Sequence, residues 1–204
     1  MLDRSFLTPG QYNSIRHFDV QIHHILPEVL HGIGEILVKY QMHFEFGPFL
    51  LHRHSELRAG SVMVQRNPDT ETEICRMERL ENEGSLSPCS FYMDAARHFK
   101  AFEYKEGPEV AVPREEFLEE LGSFLHIHQL GDVIGVSTLP AGDELWVETV
   151  LADGQGTIAR RIPHDQASPG VVTEWAFFVQ DGVLGYKEMR KCNTPPEGGG
   201  HVRS

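Results

Sequence analysis

Short segments of strand-like sequence, separated by turn residues, run through most of this chain. Over residues 36–46, apolar side chains alternate with polar ones, which is typical of a strand with one buried and one solvated face. Asp181-Gly182 and residues 153–156 supply the positive-φ positions that tight hairpins require. Further segments of strand character are 49–57, 61–65, 73–80, 90–94, 98–104, 133–139, 145–151, 157–162, 172–180 and 184–190. These segments predict a sheet that bends strongly or closes.

Two segments have helical character. Residues 115–129 predict the clearer helix, because Pro113 lies near its first turn, Glu115 and Glu116 complement its positive end and Gly131 suits its stop. Residues 19–30 predict a short or kinked helix that Pro27 interrupts. The expected class is α+β: a mainly antiparallel, strongly bent sheet, roll or barrel with one clear helix packed on it. We expect one domain over 12–192, an N-terminal arm over 1–11 and a flexible tail over 193–204.

Charge and cysteine content narrow the partners and the compartment. The 30 acidic and 18 basic residues give a net charge of −12, which argues against binding a phosphate backbone, so no nucleic-acid partner is expected. No segment approaches the ~18–20 apolar residues of a membrane span. The three cysteines are far apart and the first residues lack the features of a signal peptide, so we expect a cytoplasmic protein. A homodimer is left open.

The 12 histidines are the outlying count in this composition, and three of them share one predicted hairpin. If Gly47-Pro48 is a two-residue loop, His43 lies opposite His52, and His52, His54 and Glu56 all lie on the same face as His43. Opposed residues on paired strands have Cβ atoms ~4.5–5.5 Å apart. Three imidazoles and a carboxylate would then converge. A three-residue loop would break this register, and the Gly-Pro pair can instead mark a bend in one long strand.

This predicted face suggests a metal site. Neutral imidazoles with one carboxylate suit divalent zinc, iron, manganese or nickel, so His43, His52 and His54 are the candidate ligands. In an enzyme, one histidine could instead be the general base, with Glu56 or Glu45 as orienter or acid. We expect a small-molecule ligand in a histidine-lined pocket of this hairpin. The alternative is a non-enzymatic protein-interaction domain with structural histidines and no cofactor.

Two further groupings have simpler explanations. His126 and His128 form a second H-x-H, but on a helix they point ~200° apart and complement its negative end. If the helix ends earlier, His126 and His128 would converge with Asp132 as a second candidate metal site. Cys89 and His98 could form a thiol–imidazole pair, although a buried structural thiol is favoured. Gly32-x-Gly34 lacks the rest of a dinucleotide fingerprint and is expected to end a helix.

Short segments of this chain resemble motifs of two families. Residues 50–57, Leu-Leu-His-Arg-His-Ser-Glu-Leu, then Gly60 and an apolar strand, resemble a poorly characterised set of fungal proteins, as does the aromatic segment 174–178. That resemblance implies that His52 and His54 belong to a family feature, without an activity. Gly47 with the H-x-H and Glu56 also resembles the first cupin motif, and residues 140–142 resemble the second. The second resemblance implies a divalent-metal-dependent enzyme of cupin-like type.

Overall fold

The computed structural model describes residues 2–3, 5–17, 25–53, 55–80, 86–107, 111–166 and 170–193. Three helices form within these ranges: α1 (Pro9–Asn13), α2 (Pro27–Lys39) and α3 (Glu115–Ile127). The strands are β1 (Leu2–Asp3), β2 (Phe46–Leu50), β3 (Ser61–Arg66), β4 (Thr72–Arg79), β5 (Leu86–Met93), β6 (Phe99–Glu106), β7 (Ile134–Thr138), β8 (Leu145–Val150), β9 (Gly156–Ile162), β10 (Val171–Gln180) and β11 (Val183–Cys192).

Ten of these strands close into a barrel. Round the ring the order is β6-β3-β4-β9-β8-β11-β10-β2-β7-β5, and β5 pairs again with β6. The short β1 adds to the start of β6 in parallel. Within the ring, β3–β6 and β8–β11 are parallel and the other pairs are antiparallel. The predicted α+β class and the barrel-like sheet are therefore confirmed, but the sheet is mixed rather than purely antiparallel.

The predicted hairpin over residues 36–57 is wrong. Residues 36–39 belong to α2, and Gly47-Pro48 lies inside the continuous strand β2. The buried positions of α2 are Val29, Leu30, Ile33, Gly34, Ile36 and Leu37, which is helical spacing, so the alternation from residue 36 onward was misleading. Gly47 lies in a strand because β10 passes very close: a Cβ at this position would be 2.2 Å from the carbonyl oxygen of Trp175.

The helices begin and end at points that differ from the predictions. Pro27 occupies the first turn of α2, where its missing N–H costs nothing, rather than interrupting a helix. Residues 19–24 of that predicted helix lie outside the described part of the chain. The predicted helix at 115–129 is confirmed as α3, but His128 is its C-cap, and Gln129 with φ 58°, instead of Gly131, takes the left-handed conformation that follows.

Gly32 and Gly34 lie within α2 and do not end it, which corrects the prediction. A Cβ on Gly32 would lie 2.6 Å from Cζ of Phe124 in α3. A Cβ on Gly34 would lie 2.3 Å from Cδ1 of Phe177 in β10. The two glycines therefore let α2 approach a helix on one side and the barrel wall on another.

Two apolar clusters stabilise this arrangement. The larger one joins the buried faces of α2 and α3 to side chains from six strands of the barrel. The smaller one joins Leu7, Tyr12 and Ile15 of the N-terminal segment to strand residues that include Phe49 and Cys75. Among the helices of the described residues, none is long and apolar enough to cross a membrane. Residues 194–204 of the predicted tail lie outside the described ranges.

Candidate metal centre

The interior of the barrel is acidic. Four strands each direct one glutamate into a common cavity: Glu73 of β4, Glu103 of β6, Glu148 of β8 and Glu174 of β10. Each of these residues is at most 4% exposed. Arg190 of β11 also lines the cavity. Buried carboxylates are costly unless they are paired, hydrogen-bonded or bound to a metal, so this concentration of acidic groups marks the cavity as the candidate site.

Arg190 forms ion pairs with two of the four carboxylates. Its Nη2 donates to Oε1 of Glu73 at 2.7 Å, and its Nε donates to Oε2 of Glu174 at 3.3 Å. Burial by itself disfavours the Arg190 cation, but the surrounding carboxylates, Glu73 first, outweigh that effect and raise the pKa of Arg190. The Arg190 guanidinium therefore stays charged and is the buried counterion of Glu73 and Glu174.

The Glu174 carboxyl has a raised pKa although it contacts Arg190. Burial raises the pKa of Glu174, although Arg190 nearby and the hydrogen bond from Ser137 act in the opposite direction. The hydroxyl of Ser137, on β7, donates to Oε1 of Glu174. A carboxyl group with a raised pKa in a buried cavity is the kind of group that carries a proton at a functional site.

Three metal-ligand types meet at one point of the barrel wall. His52, Glu148 and Cys192 are all buried, and they place one ligand atom each within 4.8 Å of the others. Glu148 and Cys192 are paired positions on the parallel strands β8 and β11, so both side chains leave the same face of the sheet. His52 comes from the irregular segment that follows β2. Among the residues that the structure describes, this is the one group of three such side chains so close together.

Hydrogen bonds connect the three side chains of this group. Sγ of Cys192 donates to Oε2 of Glu148 at 2.9 Å and lies 3.6 Å from Nε2 of His52. The other oxygen of Glu148 accepts from the hydroxyl of Thr157 at 2.5 Å. The carboxylate is therefore held from one side and faces the thiol with its second oxygen.

The orientation of His52 is fixed by its own backbone neighbourhood. Its Nδ1 lies 2.7 Å from the carbonyl oxygen of Leu50. Because a carbonyl can only accept, Nδ1 carries a proton, and in the neutral imidazole the lone pair of Nε2 then faces Cys192. Histidines that bind metals in proteins almost always donate their second nitrogen in this way. The His52 imidazole is therefore already oriented to bind a metal through Nε2.

The cavity beside these residues is small. His52 and Glu148 both line it, and its volume is about 40 Å³. Since a single water needs ~10–15 Å³ of cavity volume, this cavity holds roughly three waters. A metal ion with its remaining ligands fits this volume, whereas a drug-sized ligand does not.

Comparisons of the chain with protein-family models, with curated proteins and with solved structures find no match. The resemblances to the fungal set and to the cupins therefore stay predictions. Any functional assignment has to be argued from the geometry of the cavity.

His43 and His52, the two described histidines of the predicted hairpin face, are not brought together. His52 lines the cavity, but His43 lies in the turn between α2 and β2 and packs against Phe44, with ring centroids 3.9 Å apart. Glu56 points outward with its side chain 76% exposed, 3.5 Å from Arg53. Glu45 is exposed, and His54 lies outside the described residues. His43 and His52 do not converge, because the two-residue loop on which their predicted pairing depended does not form.

The second predicted grouping is also dispersed. His126 lies in the last turn of α3 and His128 caps it, where the ring of His128 packs on Phe124. Asp132 forms an ion pair with Arg16 at 2.5 Å. Since α3 still includes His126 and His128 is its C-cap, the expected role at the negative end of the helix fits both histidines.

Cys89 is a buried structural thiol, as favoured. Its side chain is fully enclosed in β5, whereas His98 is exposed before β6. Burial raises the pKa of the Cys89 thiol well above its usual value, with the nearby carboxylates acting in the same direction. A thiolate nucleophile at this position is therefore disfavoured.

Sequence reasoning missed every partner of His52. Glu148 and Cys192 are 44 residues apart, and Cys192 is 140 residues from His52, so no local motif connects them. One signal was present: the predicted strands 73–80, 98–104, 145–151 and 172–180 each contain one glutamate that the structure buries. A buried acidic residue that recurs from strand to strand indicates a polar barrel interior.

Proposed function

We propose that this protein binds one divalent transition metal ion inside its barrel, at His52, Glu148 and Cys192, and uses it to bind a small molecule. The observation that carries the proposal is the approach of three buried ligand atoms of different chemistry to within 4.8 Å of one another. Imidazole, carboxylate and thiolate are ligands that proteins use for zinc, and buried charged groups are ordinarily paired or bound to a metal.

Zinc fits this ligand set best among zinc, iron, manganese and nickel. A thiolate ligand favours zinc over manganese, and the mixed nitrogen, oxygen and sulfur set suits a tetrahedral ion. Zn–S of about 2.3 Å and Zn–N of about 2.0–2.1 Å at a tetrahedral angle imply a separation of roughly 3.6 Å between the two ligand atoms. The Cys192–His52 separation is 3.6 Å. Glu148 would have to move slightly away from the sulfur.

The charge of the site also favours a bound cation. A Cys192 thiolate 2.9 Å from an ionised Glu148 would place two negative charges side by side, which a metal-free site avoids by keeping the thiol proton. A divalent ion displaces that proton and compensates both groups. We therefore expect zinc binding to release a proton and to become tighter as the pH rises.

Three protein ligands leave a fourth position of a tetrahedral ion for water or substrate. Because His52 and Glu148 line the cavity, we propose that this position faces it. A zinc ion there would act as a Lewis acid on a bound water or carbonyl oxygen. Glu174, with its raised pKa, is our candidate for holding a proton in the same cavity.

The alternative remains a non-enzymatic protein-interaction domain in which these groups are structural. That alternative predicts that no metal is bound and that replacing His52 affects stability alone. The two proposals therefore differ in the metal content of the purified protein.

Metal analysis of the full chain, purified without chelators, tests the proposal. We expect one zinc ion per chain, and a cobalt-substituted sample should show sulfur-to-cobalt charge transfer and the strong visible bands of a tetrahedral ion. His52→Ala should abolish the cobalt spectrum, while His126→Ala, at the end of α3, should leave it unchanged. A chain that holds no metal after reconstitution, with its barrel intact by circular dichroism, would overturn the proposal.

A further inference from the structure

The lining of the cavity is more negative than a metal site requires. Four glutamates line the cavity together with Arg190, which is the single Lys or Arg side chain among the lining residues that the structure describes. Even when Glu174 keeps its proton, three carboxylates remain. With zinc and a Cys192 thiolate in place, four negative groups still face three positive charges. A ligand that enters the cavity therefore meets a negative potential.

The wall opposite the metal ligands is acidic as well. Glu103 lies on β6, and β11 is the fifth strand from β6 in either direction round the ring of ten. The carboxylate of Glu103 accepts from the hydroxyl of Ser90 at 3.2 Å, which orients it in the cavity lining. The metal site on one wall and Glu103 on the other therefore enclose the same space.

Carboxylates accept hydrogen bonds and cannot donate them when they are ionised. A ligand between Glu103 and the metal site is consequently best matched by N–H or O–H groups directed toward the glutamates. The cavity volume of about 40 Å³ limits such a ligand to the size of roughly three waters. The charge, the hydrogen-bonding pattern and the volume of the cavity therefore all limit which ligand it can bind.

We propose that the site takes a small N–H donor of amide or amidine type, neutral or positively charged, and rejects anions of the same size. This inference names the substrate class of the proposed metal site and rests on that proposed function. Its consequence is unusual, because an open zinc position by itself favours anionic ligands. The acidic walls must reverse that order.

Three isosteric probes test the inference: formamidinium, formamide and formate. They share the same three-atom frame and differ in charge, so shape cannot explain a difference in their binding. Each is titrated into ¹⁵N-labelled zinc-loaded protein and into metal-free protein, and dissociation constants are taken from amide chemical shifts of the cavity-lining strands. We expect formamidinium and formamide to bind at least ~10-fold more tightly than formate, because the net negative lining repels the anion.

Two variants on β6 locate the effect. Glu103→Gln keeps the shape of the side chain and removes one negative charge, so the preference for formamidinium over formate should fall roughly 10-fold. Glu106→Gln is the matched control, since this glutamate is 42% exposed and pairs with Arg66 outside the cavity. It should leave the preference unchanged. If Glu103→Gln does not fold, the comparison of the three probes on the unaltered chain still decides the question.

The outcomes separate this inference from the proposed function. Formate binding as tightly as formamide to the zinc-loaded protein, or no shift of the lining strands with any probe, would overturn the inference while zinc binding stands. Failure of zinc to bind, together with the expected probe order in the metal-free protein, would overturn the proposed function and support the acidic selectivity of the cavity.

Discussion

Glu148 and Cys192 are directly paired residues on parallel strands, and the thiol of Cys192 donates to Oε2 of Glu148 at 2.9 Å inside the barrel. Parallel neighbours need a crossover connection, so this contact depends on the chain leaving β8, forming β9 and β10, and returning as β11. Two metal-ligand types thus become adjacent through topology alone, and His52 completes the group from a different part of the chain.

Replacement of Cys192 by serine should weaken zinc binding by more than the ~10–100-fold that second-shell changes cost, because a hydroxyl is a poor zinc ligand. Competition with a chromophoric chelator measures this change. Cys89→Ser is the matched control, since Cys89 is equally buried but is not part of the group. Equal zinc affinities for the two variants would argue against Cys192 as a ligand.

Replacement of Arg190 by methionine should destabilise the barrel by about 3–5 kcal/mol, because Glu73 and Glu174 would lose a buried counterion. Urea denaturation measures the loss. Arg66→Met serves as control: Arg66 also contacts two glutamates, Glu78 and Glu106, but its side chain is 45% exposed. That variant should lose under ~1 kcal/mol. Similar losses for both would show that the interior pairing has no special weight.

Glu174→Gln should change how stability depends on pH. Burial raises the pKa of Glu174 in the folded chain above its ordinary 4.5, so the folded state binds the proton more tightly than the unfolded state. The stability that this carboxyl contributes is complete below pH 4.5 and is lost as the pH rises through its folded pKa. The free energy of unfolding of the glutamine variant, relative to the parent, should therefore increase with pH above 4.5. A constant difference between the two proteins would contradict the raised pKa.

His43→Asn should leave metal content unchanged and alter acid sensitivity. Burial lowers the pKa of His43 below 6.5, which a backbone contact with Leu37 partly offsets. Because the folded state holds His43 neutral, its contribution to stability is complete above pH 6.5 and is lost as the pH falls through the folded pKa. The variant should lose less stability than the parent between neutral pH and pH 5, measured by thermal unfolding. Loss of bound zinc would instead return His43 to the ligand set.

Gly34→Ala should destabilise the protein by ~1–3 kcal/mol through overpacking, because the added methyl would meet the ring of Phe177 at 2.3 Å. Gly10→Ala, in helix α1, has no atom within 4 Å of the new Cβ and should be neutral or slightly stabilising. The midpoint of urea unfolding distinguishes them. Equal midpoints would mean that α2 does not pack on β10 as described.

The sequence predicted most strands, the helix α3 and the turn at Asp181-Gly182, because these depend on local patterns. Alternation over 145–151 and 157–162 correctly predicted the antiparallel pair β8–β9. Asp181 and Gly182 both have positive φ, at 52° and 77°, as the hairpin requires. Local pattern failed over 36–46, because residues 36–39 are the last part of α2 and residues 40–45 form the turn that leads into β2.

The candidate site could not be predicted in the same way. Of the predicted ligands that the structure describes, His52 alone takes part, and the pairing of His43 with His52 was inferred from a two-residue loop that does not form. By itself the sequence determined that the chain is rich in short strands, acidic and able to form a bent sheet. Only the tertiary structure decided that the sheet closes and that β8 and β11 are parallel neighbours. Closure directs one face of every strand into a common interior. This brings Cys192 within hydrogen-bonding distance of Glu148 and His52, which are 44 and 140 positions away in the chain.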